Sequence, residues 1–354
     1  TTRTTLADQH EKSFSNLKMK NYQDIKTDLY DAKALGICLN SLVQLDALEP
    51  EEIAKYVVYV DEVSSFTEFT DNDLLDGRLK KVVSLLMRLM RYAGTVIVSD
   101  ALINDATFEL LKHRPLDKAV FLTNEFKKFE AVPAVRLRSE QDFLDRLVEH
   151  CNSNSPFLIG SDSCNIGTAF YHRCLEHVAD ASLKAKFMLI TAETGTRVKD
   201  ASKEFEGKIV VYSPKITFGV DFSSLTAQDV FIHITGNSIQ PSGSFQQTTR
   251  CRNIRTSYYH GEYTDDLSAF AEVQADVDQA LATSETFNST CTYLDEFDQV
   301  QVVKNTFFNF YCLNEFTRDS FASHRLQHFE LILARNGSRL AARAPRPAPG
   351  IATN

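Results

Sequence analysis

Short, continuous apolar runs recur along this chain, and they constrain its fold more than any other feature. The eight runs are ICL (37–39), YVVYV (56–60), TVIV (95–98), AVFL (119–122), FLI (157–159), FMLI (187–190), IVVY (209–212) and VFIHI (230–234). Uninterrupted apolar residues are typical of strands that are covered on both faces, as in parallel sheets. Helix-like segments separate the runs, so the pattern predicts βαβ units and an α/β fold with parallel sheets.

The best defined helix-like segment lies between the second and third runs. Its apolar residues from Leu75 to Met90 follow helical spacing. Asp73 can cap the start of this helix, and Gly94 is expected to end it.

The runs fall into two sets of four, separated near residues 130–150. We therefore expect two α/β domains, at about 1–135 and 136–275. Residues 276–335 have a mixed pattern and form an extension. The tail, 336–354, is rich in Pro, Ala and Arg and is predicted to be disordered.

The composition is that of an ordinary soluble globular protein, with 43% hydrophobic residues. Apolar runs of the ~18–20 residues that a membrane span needs are absent, and the N-terminus has no apolar signal core. The net charge of −9 argues against a basic coat for nucleic acid but is compatible with a local basic groove. The sequence starts at Thr1 rather than Met, which we take as a sign that it belongs to a longer chain.

Seven cysteines without short paired spacings predict reduced thiols in an intracellular protein. Six possible metal ligands lie near one another in sequence, but no C-x-x-C pair anchors them and many fall on a predicted helix (165–178). Core cysteines and surface histidines are therefore favoured over a zinc site. These six residues are His150, Cys151, Cys164, His172, Cys174 and His177.

Two adjacent acids, Asp61 and Glu62, directly follow the YVVYV run. In open α/β sheets, ligands bind at the carboxyl ends of the strands. One acid there can hold Mg²⁺, and the second can orient or deprotonate an attacking water, as in nucleotide hydrolysis. The alternative is a strand that ends in an ordinary polar turn.

Further polar residues follow other predicted strands. Ser99 and Asp100 come after TVIV, and a later turn carries Gly219 and Asp221. A predicted helical face with Gln246, Arg250 and Arg252 could direct two guanidinium groups at phosphate; the alternative is a charged surface helix.

The segments DEVSSF, SDA, TFGVDF and QQTTRCR occur in this order. They resemble motifs II, III, V and VI of superfamily 2 helicases, and in particular the helicase portion of the herpesvirus-type replication origin-binding protein family. TTRTTLADQHEKSF (1–14) resembles motif Ia, GICLNSLVQL (36–45) resembles motif Ib, and FLIGSDS (157–163) stands where motif IV is expected. The resemblance covers about residues 1–260 and implies two RecA-like parallel-sheet domains in tandem.

The resemblance also implies residue roles. Asp61 would hold Mg²⁺ and Glu62 would be the catalytic base, while Ser99 and Asp100 would couple hydrolysis to DNA. The other implied residues are Gly219 and Asp221 at the nucleotide cleft, Gln246, Arg250 and Arg252 facing the γ-phosphate, and Arg3, Asn40 and Ser41 along the nucleic acid.

Two features depart from the family pattern. In motif VI, Thr249 replaces a common Gly and the second Arg comes one residue early, which leaves Arg252 and Arg255 as alternatives for the second arginine finger. The sequence also has no G-x-x-x-x-G-K-[ST] phosphate loop; Gly207-Lys208 is followed by Ile209 and opens a strand. We therefore expect the Walker A strand and loop of the first domain to lie upstream of Thr1.

These features together predict the motor region of an ATP-dependent DNA helicase that acts in replication initiation. ATP and Mg²⁺ are the expected cofactors, and DNA is the expected partner, as a single strand or a replication origin, with other replication proteins. The resemblance implies the nucleus of a eukaryotic host. The alternatives are a catalytically inactive viral or mobile-element remnant and a nucleic-acid-binding module without turnover.

Overall fold

The computed structural model describes residues 10–341, except 12, 27, 65–77, 102, 128, 154, 195–197, 199, 215–221, 237, 263–269 and 284–290. The chain divides into two compact units. Unit 1 comprises Thr1–Thr123 and Ser268–Asp319, and unit 2 comprises Asn124–Leu267 and Ser320–Asn354. The sequence-based boundaries at 135 and 275 stay predictions.

Unit 1 contains a pair of parallel strands, β3 and β4, that lie in register. Hydrophobic residues of the helix Leu79–Tyr92 share a core with Val60 of β3, with Ile53 and with Leu42. The elements of its first segment are β1 (Lys20–Asn21), β2 (Leu35–Gly36), α1 (Pro50–Ile53), β3 (Val57–Asp61), α2 (Leu79–Tyr92), β4 (Thr95–Ser99) and α3 (Asp105–Leu111). Short 3₁₀ helices span Ser15–Leu17, Tyr22–Asp24, Leu29–Asp31, Leu39–Leu45 and Leu116–Lys118.

The helix predicted before TVIV is present as α2, with Arg78 as its N-cap. Asp73 lies outside the described residues. The helix ends at Tyr92, and Gly94 has a different role from the predicted one. A Cβ at Gly94 would lie 2.5 Å from the Ala54 carbonyl oxygen, so glycine permits a close approach of two backbone segments.

Unit 2 is built on a seven-stranded sheet in the order β13-β5-β10-β9-β6-β8-β7, with every pair parallel. All residues of β6, β8 and β9 are buried, as expected for parallel strands covered on both faces. The strands are β5 (Pro133–Arg136), β6 (Phe157–Ser161), β7 (Phe187–Ile190), β8 (Ile209–Tyr212), β9 (Gln228–Ile234), β10 (Ile254–Gly261) and β13 (Arg339–Ala341).

Helices cover this sheet, and side-chain caps start several of them. Ser139 and Ser163, for example, each accept a hydrogen bond from a backbone N–H in the first turn. Phe143 and Phe170, on two of these helices, pack in one core with Phe157 and Phe231 of the sheet. The helices are α4 (Glu140–Asn152), α5 (Cys164–His177), α6 (Ala181–Lys184), α7 (Ala201–Glu204) and α8 (Pro241–Thr248).

The region after unit 2's first segment has mixed structure. It contains α9 (Phe270–Thr283), an antiparallel hairpin of β11 (Thr292–Leu294) and β12 (Val300–Val302), and α10 (Thr306–Arg335). Helix α10 is broken at His324, whose φ of −123° is not helical.

Several sequence-based expectations about single elements are wrong. The ICL and AVFL runs are not strands, and Val120 and Leu122 are 81% and 91% exposed. The segment near 130–150 contains β5 and most of α4 rather than only a connection. Residues 339–341 of the tail form β13 on the edge of the sheet instead of being disordered, because β5 offers an unpaired edge. Residues 342–354 lie outside the described part.

The predicted α/β fold with parallel sheets is confirmed, and the two units are consistent with the RecA-like domains expected from the sequence. Among the described residues, no helix has the length and apolar character needed to cross a membrane.

Candidate functional site

The predicted acid and hydroxyl of unit 1 lie side by side at the carboxyl ends of β3 and β4. Asp61 is the register partner of Ser99, so parallel pairing places the last residues of both strands at one edge. The Ser99 hydroxyl donates a hydrogen bond of 2.5 Å to Oδ1 of Asp61. The segments that resemble motifs II and III therefore meet through their side chains.

Two further side chains complete this group, and sequence reasoning missed both. His10 Nε2 lies 2.8 Å from Oδ2 of Asp61, and its ring stacks on Tyr59 with centroids 5.7 Å apart. The Tyr59 hydroxyl donates to Oδ1 of Asp61 at 3.2 Å and lies 2.9 Å from Oγ of Ser99. Tyr59 could have been found from its position two residues before Asp61 on the same strand face, whereas the contact of His10 is purely tertiary.

These hydrogen bonds and the burial of the cluster determine the protonation states of Asp61 and Tyr59. Burial acts to raise the pKa of Asp61, but hydrogen bonds from His10 and Ser99 outweigh it and hold that pKa below its usual range. Burial raises the pKa of Tyr59. Asp61 is therefore an anion and Tyr59 a neutral donor across the physiological range.

Glu62 and Asp100 occupy the turns that follow the two strands. Glu62 has a φ of +56°, in the left-handed region that costs a non-glycine residue about 1–3 kcal/mol. The next N–H, of Val63, bonds back to the Ser99 carbonyl at 3.2 Å. Asp100 accepts hydrogen bonds from the N–H (2.7 Å) and the hydroxyl (2.6 Å) of Ser64, so the two turns are tied together.

The carboxyl edge of β3 and β4 offers Asp61 as a possible ligand of Mg²⁺. Mg²⁺ commonly uses one or two protein carboxylates and completes its shell with water and substrate phosphate. Asp61 supplies one such carboxylate, although His10, Ser99 and Tyr59 already engage both of its oxygens. In the described part of the chain, no group of three or more His, Cys, Asp or Glu side chains could hold a metal by itself. Asp61 could therefore serve only as a single protein ligand to Mg²⁺, and His10 engages its Oδ2 in this structure.

In unit 2, the segments that resemble motifs V and VI are joined through their backbones. The Phe222 N–H donates to the Arg250 carbonyl at 2.9 Å, and the Arg252 N–H donates to the Phe222 carbonyl at 2.8 Å. Phe222 ends the TFGVDF segment, whose Gly219 and Asp221 lie outside the described residues.

The prediction that Gln246, Arg250 and Arg252 share a helical face is wrong. Helix α8 ends at Thr248, and the chain then turns so that Cys251 forms a bridge with Phe222. The Arg250 Nε still donates to the Gln246 carbonyl at 2.9 Å, so these two residues stay together. The early end of the helix follows from the extended pairing of residues 250–252 with Phe222, which competes with helical hydrogen bonding.

Arg255, the alternative second finger, has a structural partner. Its Nε and Nη2 donate to Asp229 at 2.9 and 2.6 Å, and His150 Nε2 lies 2.9 Å from the same carboxylate. Burial acts to raise the pKa of Asp229, but the hydrogen bonds of His150 and Arg255 lower it to about 2. The guanidinium of Arg255 is therefore engaged in a bidentate ion pair inside unit 2.

Two of the remaining predicted residues of unit 1 lie in its described part. Asn40 and Ser41 lie in the 3₁₀ helix Leu39–Leu45, where Asn40 is exposed and Ser41 is half-buried. Arg3 lies outside the described residues.

The FLIGSDS segment contains a buried acid that the sequence did not single out. Asp162 follows β6 and accepts hydrogen bonds from the Thr235 N–H (2.9 Å), the Thr235 hydroxyl (2.7 Å) and the Gly236 N–H (2.5 Å). Burial raises the pKa of Asp162. This carboxylate joins the carboxyl ends of the adjacent strands β6 and β9.

The His and Cys residues weighed as possible zinc ligands have other surroundings. Cys151 and Cys174 are buried in the core, as expected. His150 is not a surface residue as predicted, because Asp229 and the Arg146 carbonyl hold it in a half-buried position. His172 and His177 are exposed.

No protein-family model and no curated protein matches this sequence. Solved structures that share similarity are those of S. cerevisiae Dbp5 bound to RNA and ADP BeF3, Mycobacterium smegmatis helicase Lhr bound to ssDNA and AMP-PNP, and DUF1998 helicase MrfA bound to DNA and AMPPNP. Dbp5 is 12% identical with a TM-score of 0.47, over 75% of this chain and 70% of that chain. Lhr is 12% identical with a TM-score of 0.44, over 89% and 44%. MrfA is 13% identical with a TM-score of 0.49, over 73% of this chain and 40% of that chain. This chain therefore spans less than half of the Lhr and MrfA chains.

Proposed function

We propose that this chain is the motor region of an ATP-dependent DNA helicase of the replication-initiator type. The observation that carries the proposal is the contact between Asp61 and Ser99 at the carboxyl ends of two parallel strands. Two segments that are 38 residues apart in sequence, and that resemble helicase motifs II and III, meet there atom to atom. The carboxyl edge of a parallel sheet is also where ligands of α/β proteins bind.

In this proposal the acids of unit 1 act on ATP hydrolysis. Asp61 would hold Mg²⁺, which supplies charge neutralisation for the transferred phosphoryl group when it is bound. Glu62 would take the proton of the attacking water, and its left-handed backbone is the kind of local strain found at functional sites. Ser99 and Asp100 would couple this edge to the DNA-binding surface.

The arginines of unit 2 would act on the charge of the transferred phosphoryl group. Arg250 and Arg252 are assigned as arginine fingers, with Gln246 beside them through its carbonyl contact with Arg250. The other proposed residues are Gly219 and Asp221 at the nucleotide, and Arg3, Asn40 and Ser41 along a single DNA strand.

A second candidate function is a nucleic-acid-binding module without turnover. The contact of His10 with Asp61 favours it, because His10 engages the oxygen that a metal would need. The sequence of 354 residues also contains no G-x-x-x-x-G-K-[ST] segment whose amides and Lys could hold the phosphates.

DNA-stimulated ATP hydrolysis separates the two candidates. The 354-residue chain alone should bind Mg·ATP weakly and turn it over hardly at all. A fusion that carries a superfamily 2 phosphate-loop segment ahead of Thr1 should hydrolyse ATP in response to single-stranded DNA. In that fusion, Glu62→Gln should keep Mg·ATP binding and nearly abolish turnover, whereas Asp61→Asn should weaken the metal-dependent part of binding. A folded fusion that binds DNA but never hydrolyses ATP would favour the second candidate.

The same fusion tests the arginines. Arginine fingers are worth about 10³–10⁵ in rate, so Arg250→Ala and Arg252→Ala should each lower the maximal rate strongly with little change in DNA affinity. Arg255→Ala is the matched control, because its guanidinium is bound to Asp229. A rate loss for Arg255→Ala as large as that for Arg252→Ala would contradict this assignment.

A further inference from the structure

The hairpin of β11 and β12 has a rigid tip. The strands pair from Thr292 with Val302 to Leu294 with Val300, and residues 295–299 connect them. Oδ1 of Asp295 accepts hydrogen bonds from the N–H groups of Phe297 (2.9 Å) and Gln299 (3.0 Å). The Gln301 side chain donates to the other oxygen of Asp295 at 2.8 Å. One carboxylate thus fixes the path of the whole tip.

This rigid tip presents apolar side chains to solvent. Phe297 is 74% exposed, and Tyr293 and Leu294 are each 51% exposed. The base of the hairpin is anchored, because Cys291 is buried in a small core with Val273 and Val277 of α9. A large aromatic ring held out on an anchored support is typical of an interaction surface.

The hairpin and helix α9, which contacts β12, carry charges of one dominant sign. The described residues of 270–283 and 291–305 contain six carboxylates and one lysine. That lysine, Lys304, is 3.1 Å from Asp278. The backbone N–H groups of Gln299 and Phe297 hold the pKa of Asp295 below its usual range. The six acids are Glu272, Asp276, Asp278, Asp295, Glu296 and Asp298.

This charge decides which class of partner fits. The hairpin and helix α9 together have a net charge of −5 (one Lys against six acids), which repels the phosphates of nucleic acid. It attracts a groove lined by Lys and Arg, and the Phe297 ring needs an apolar or aromatic platform in the same groove. Proteins that bind single-stranded DNA combine these two features, because their grooves neutralise phosphates and stack bases on aromatic side chains.

We propose that the hairpin tip docks into the basic, aromatic-lined groove of a protein that binds single-stranded DNA. The Phe297 ring takes the place of a base, and the flanking carboxylates of Glu296 and Asp298 take the places of phosphates. Docking itself follows from the exposed ring and the charge of the hairpin. The choice of a single-strand-binding protein rests on the proposed function, because a helicase motor produces the strand that such a protein coats.

Binding of the 354-residue chain to a purified single-strand-binding protein of the OB-fold type tests this proposal. Fluorescence anisotropy should show binding that an oligo-dT strand displaces and that weakens with added salt. Phe297→Ala should weaken binding by about tenfold or more. Phe126→Ala is the matched control, because Phe126 is 76% exposed in another part of the chain, and it should leave binding unchanged.

A second variant tests the charge separately from the ring. Glu296→Gln combined with Asp298→Asn should weaken binding and reduce its salt dependence. Asn suits position 298, because it tolerates the φ of +56° found there. Glu296, Phe297 and Asp298 are all exposed at the hairpin tip. Circular dichroism of their variants should therefore show unchanged folding.

Three results would overturn the proposal. They are the absence of binding, equal binding by Phe297→Ala and Phe126→Ala, and a loss of the chain's own oligo-dT affinity in Phe297→Ala. The last result would show that the tip contacts nucleic acid directly. ATP hydrolysis is measured in a separate experiment. If the phosphate-loop fusion does not hydrolyse ATP but still binds the single-strand-binding protein, the motor function is refuted and the hairpin contact is retained.

Discussion

Units 1 and 2 contain apolar strands of the same kind in different surroundings. Every residue of β6 in unit 2 is buried, and neighbours pair with both of its edges. In β3 and β4 of unit 1, by contrast, Val57, Tyr59 and Ile97 are 65%, 38% and 49% exposed. Among the residues that the structure describes, Val57 and Ile97 form an open apolar face beside Tyr59, on which the ring of His10 stacks. A continuous apolar run therefore predicts a strand of a parallel sheet. How deeply the strand is buried depends on the neighbouring strands and helices that cover it.

The largest expected difference between the units concerns core truncation. Phe231→Ala removes a fully buried ring that contacts Phe143, Phe157 and Tyr258, and it should lower the free energy of unfolding by about 3–5 kcal/mol. Ile97→Ala removes a half-exposed side chain and should cost less than about 1 kcal/mol. Urea unfolding of both variants measures the two values. Equal losses would show that the open face is covered in solution.

The ion pair of unit 2 should have the next largest effect. Asp229 is 3% exposed and binds both His150 and Arg255, so Asp229→Ala leaves two polar partners without their acceptor and should cost about 3 kcal/mol. Arg255→Ala should cost only about 1 kcal/mol, because the guanidinium is half-exposed. Thermal or urea unfolding near neutral pH gives both values. A larger loss for Arg255→Ala than for Asp229→Ala would contradict the importance of the buried carboxylate.

Acid sensitivity should distinguish the buried His233 of unit 2 from exposed histidines of the same unit. Burial, with a smaller contribution from His260, lowers the pKa of His233 to about 4 from an ordinary 6.5. The ring is packed against Phe143, Phe170 and His260. As pH falls from 6.5 to 4, the unfolded chain binds a proton that the folded chain does not, so stability decreases by on the order of 3 kcal/mol.

His233→Leu should remove this part of the pH dependence, measured by urea unfolding from neutral pH to pH 4. His172→Gln, at an exposed position, is the control and should leave the slope unchanged. The same slope in His233→Leu as in the parent would assign the acid sensitivity to other groups.

The smallest expected effect tests the open face of unit 1 directly. Val57→Thr and Ile97→Thr should each change the free energy of unfolding by less than about 0.5 kcal/mol, because both side chains already face solvent and Thr keeps the β-branched shape. The double variant should bind less of an apolar fluorescent dye. Unfolding of the double variant at a markedly lower urea concentration would mean that this face packs against other residues.

Sequence and structure agree best for the strands that consist of continuous apolar runs. β3, β4, β6, β7, β8 and β9 lie where apolar runs predicted them. β10 was missed because polar residues interrupt it, and the fold satisfies two of these residues through distant partners. Arg255 binds Asp229, and the Tyr259 hydroxyl donates to Glu330 at 2.9 Å. AVFL failed for the opposite reason, since its apolar residues are exposed rather than paired.

The candidate site was predictable to a similar extent. The position of Asp61 and Ser99 at neighbouring strand ends follows from the βαβ pattern, and the hydrogen bond between them agrees with it. His10 was not predictable, because it is 51 residues from Asp61 and lies on no strand of that sheet. The end of α8 at Thr248 was missed because the bridge from Cys251 to Phe222 depends on tertiary structure.

The discontinuity of unit 1 has a consequence for synthesis on the ribosome. Its core combines Leu110 with Phe310, which the ribosome adds 200 residues later (310 − 110). At about 5–20 residues per second, the early half of this core waits roughly 10–40 s for its last aromatic ring. The inner strands of unit 2, β5 to β10, emerge within that interval, and only the edge strand β13 follows later. During these seconds the core of unit 1 is incomplete and its apolar side chains stay exposed on the nascent chain. We therefore expect chaperone binding to be concentrated on residues 35–123.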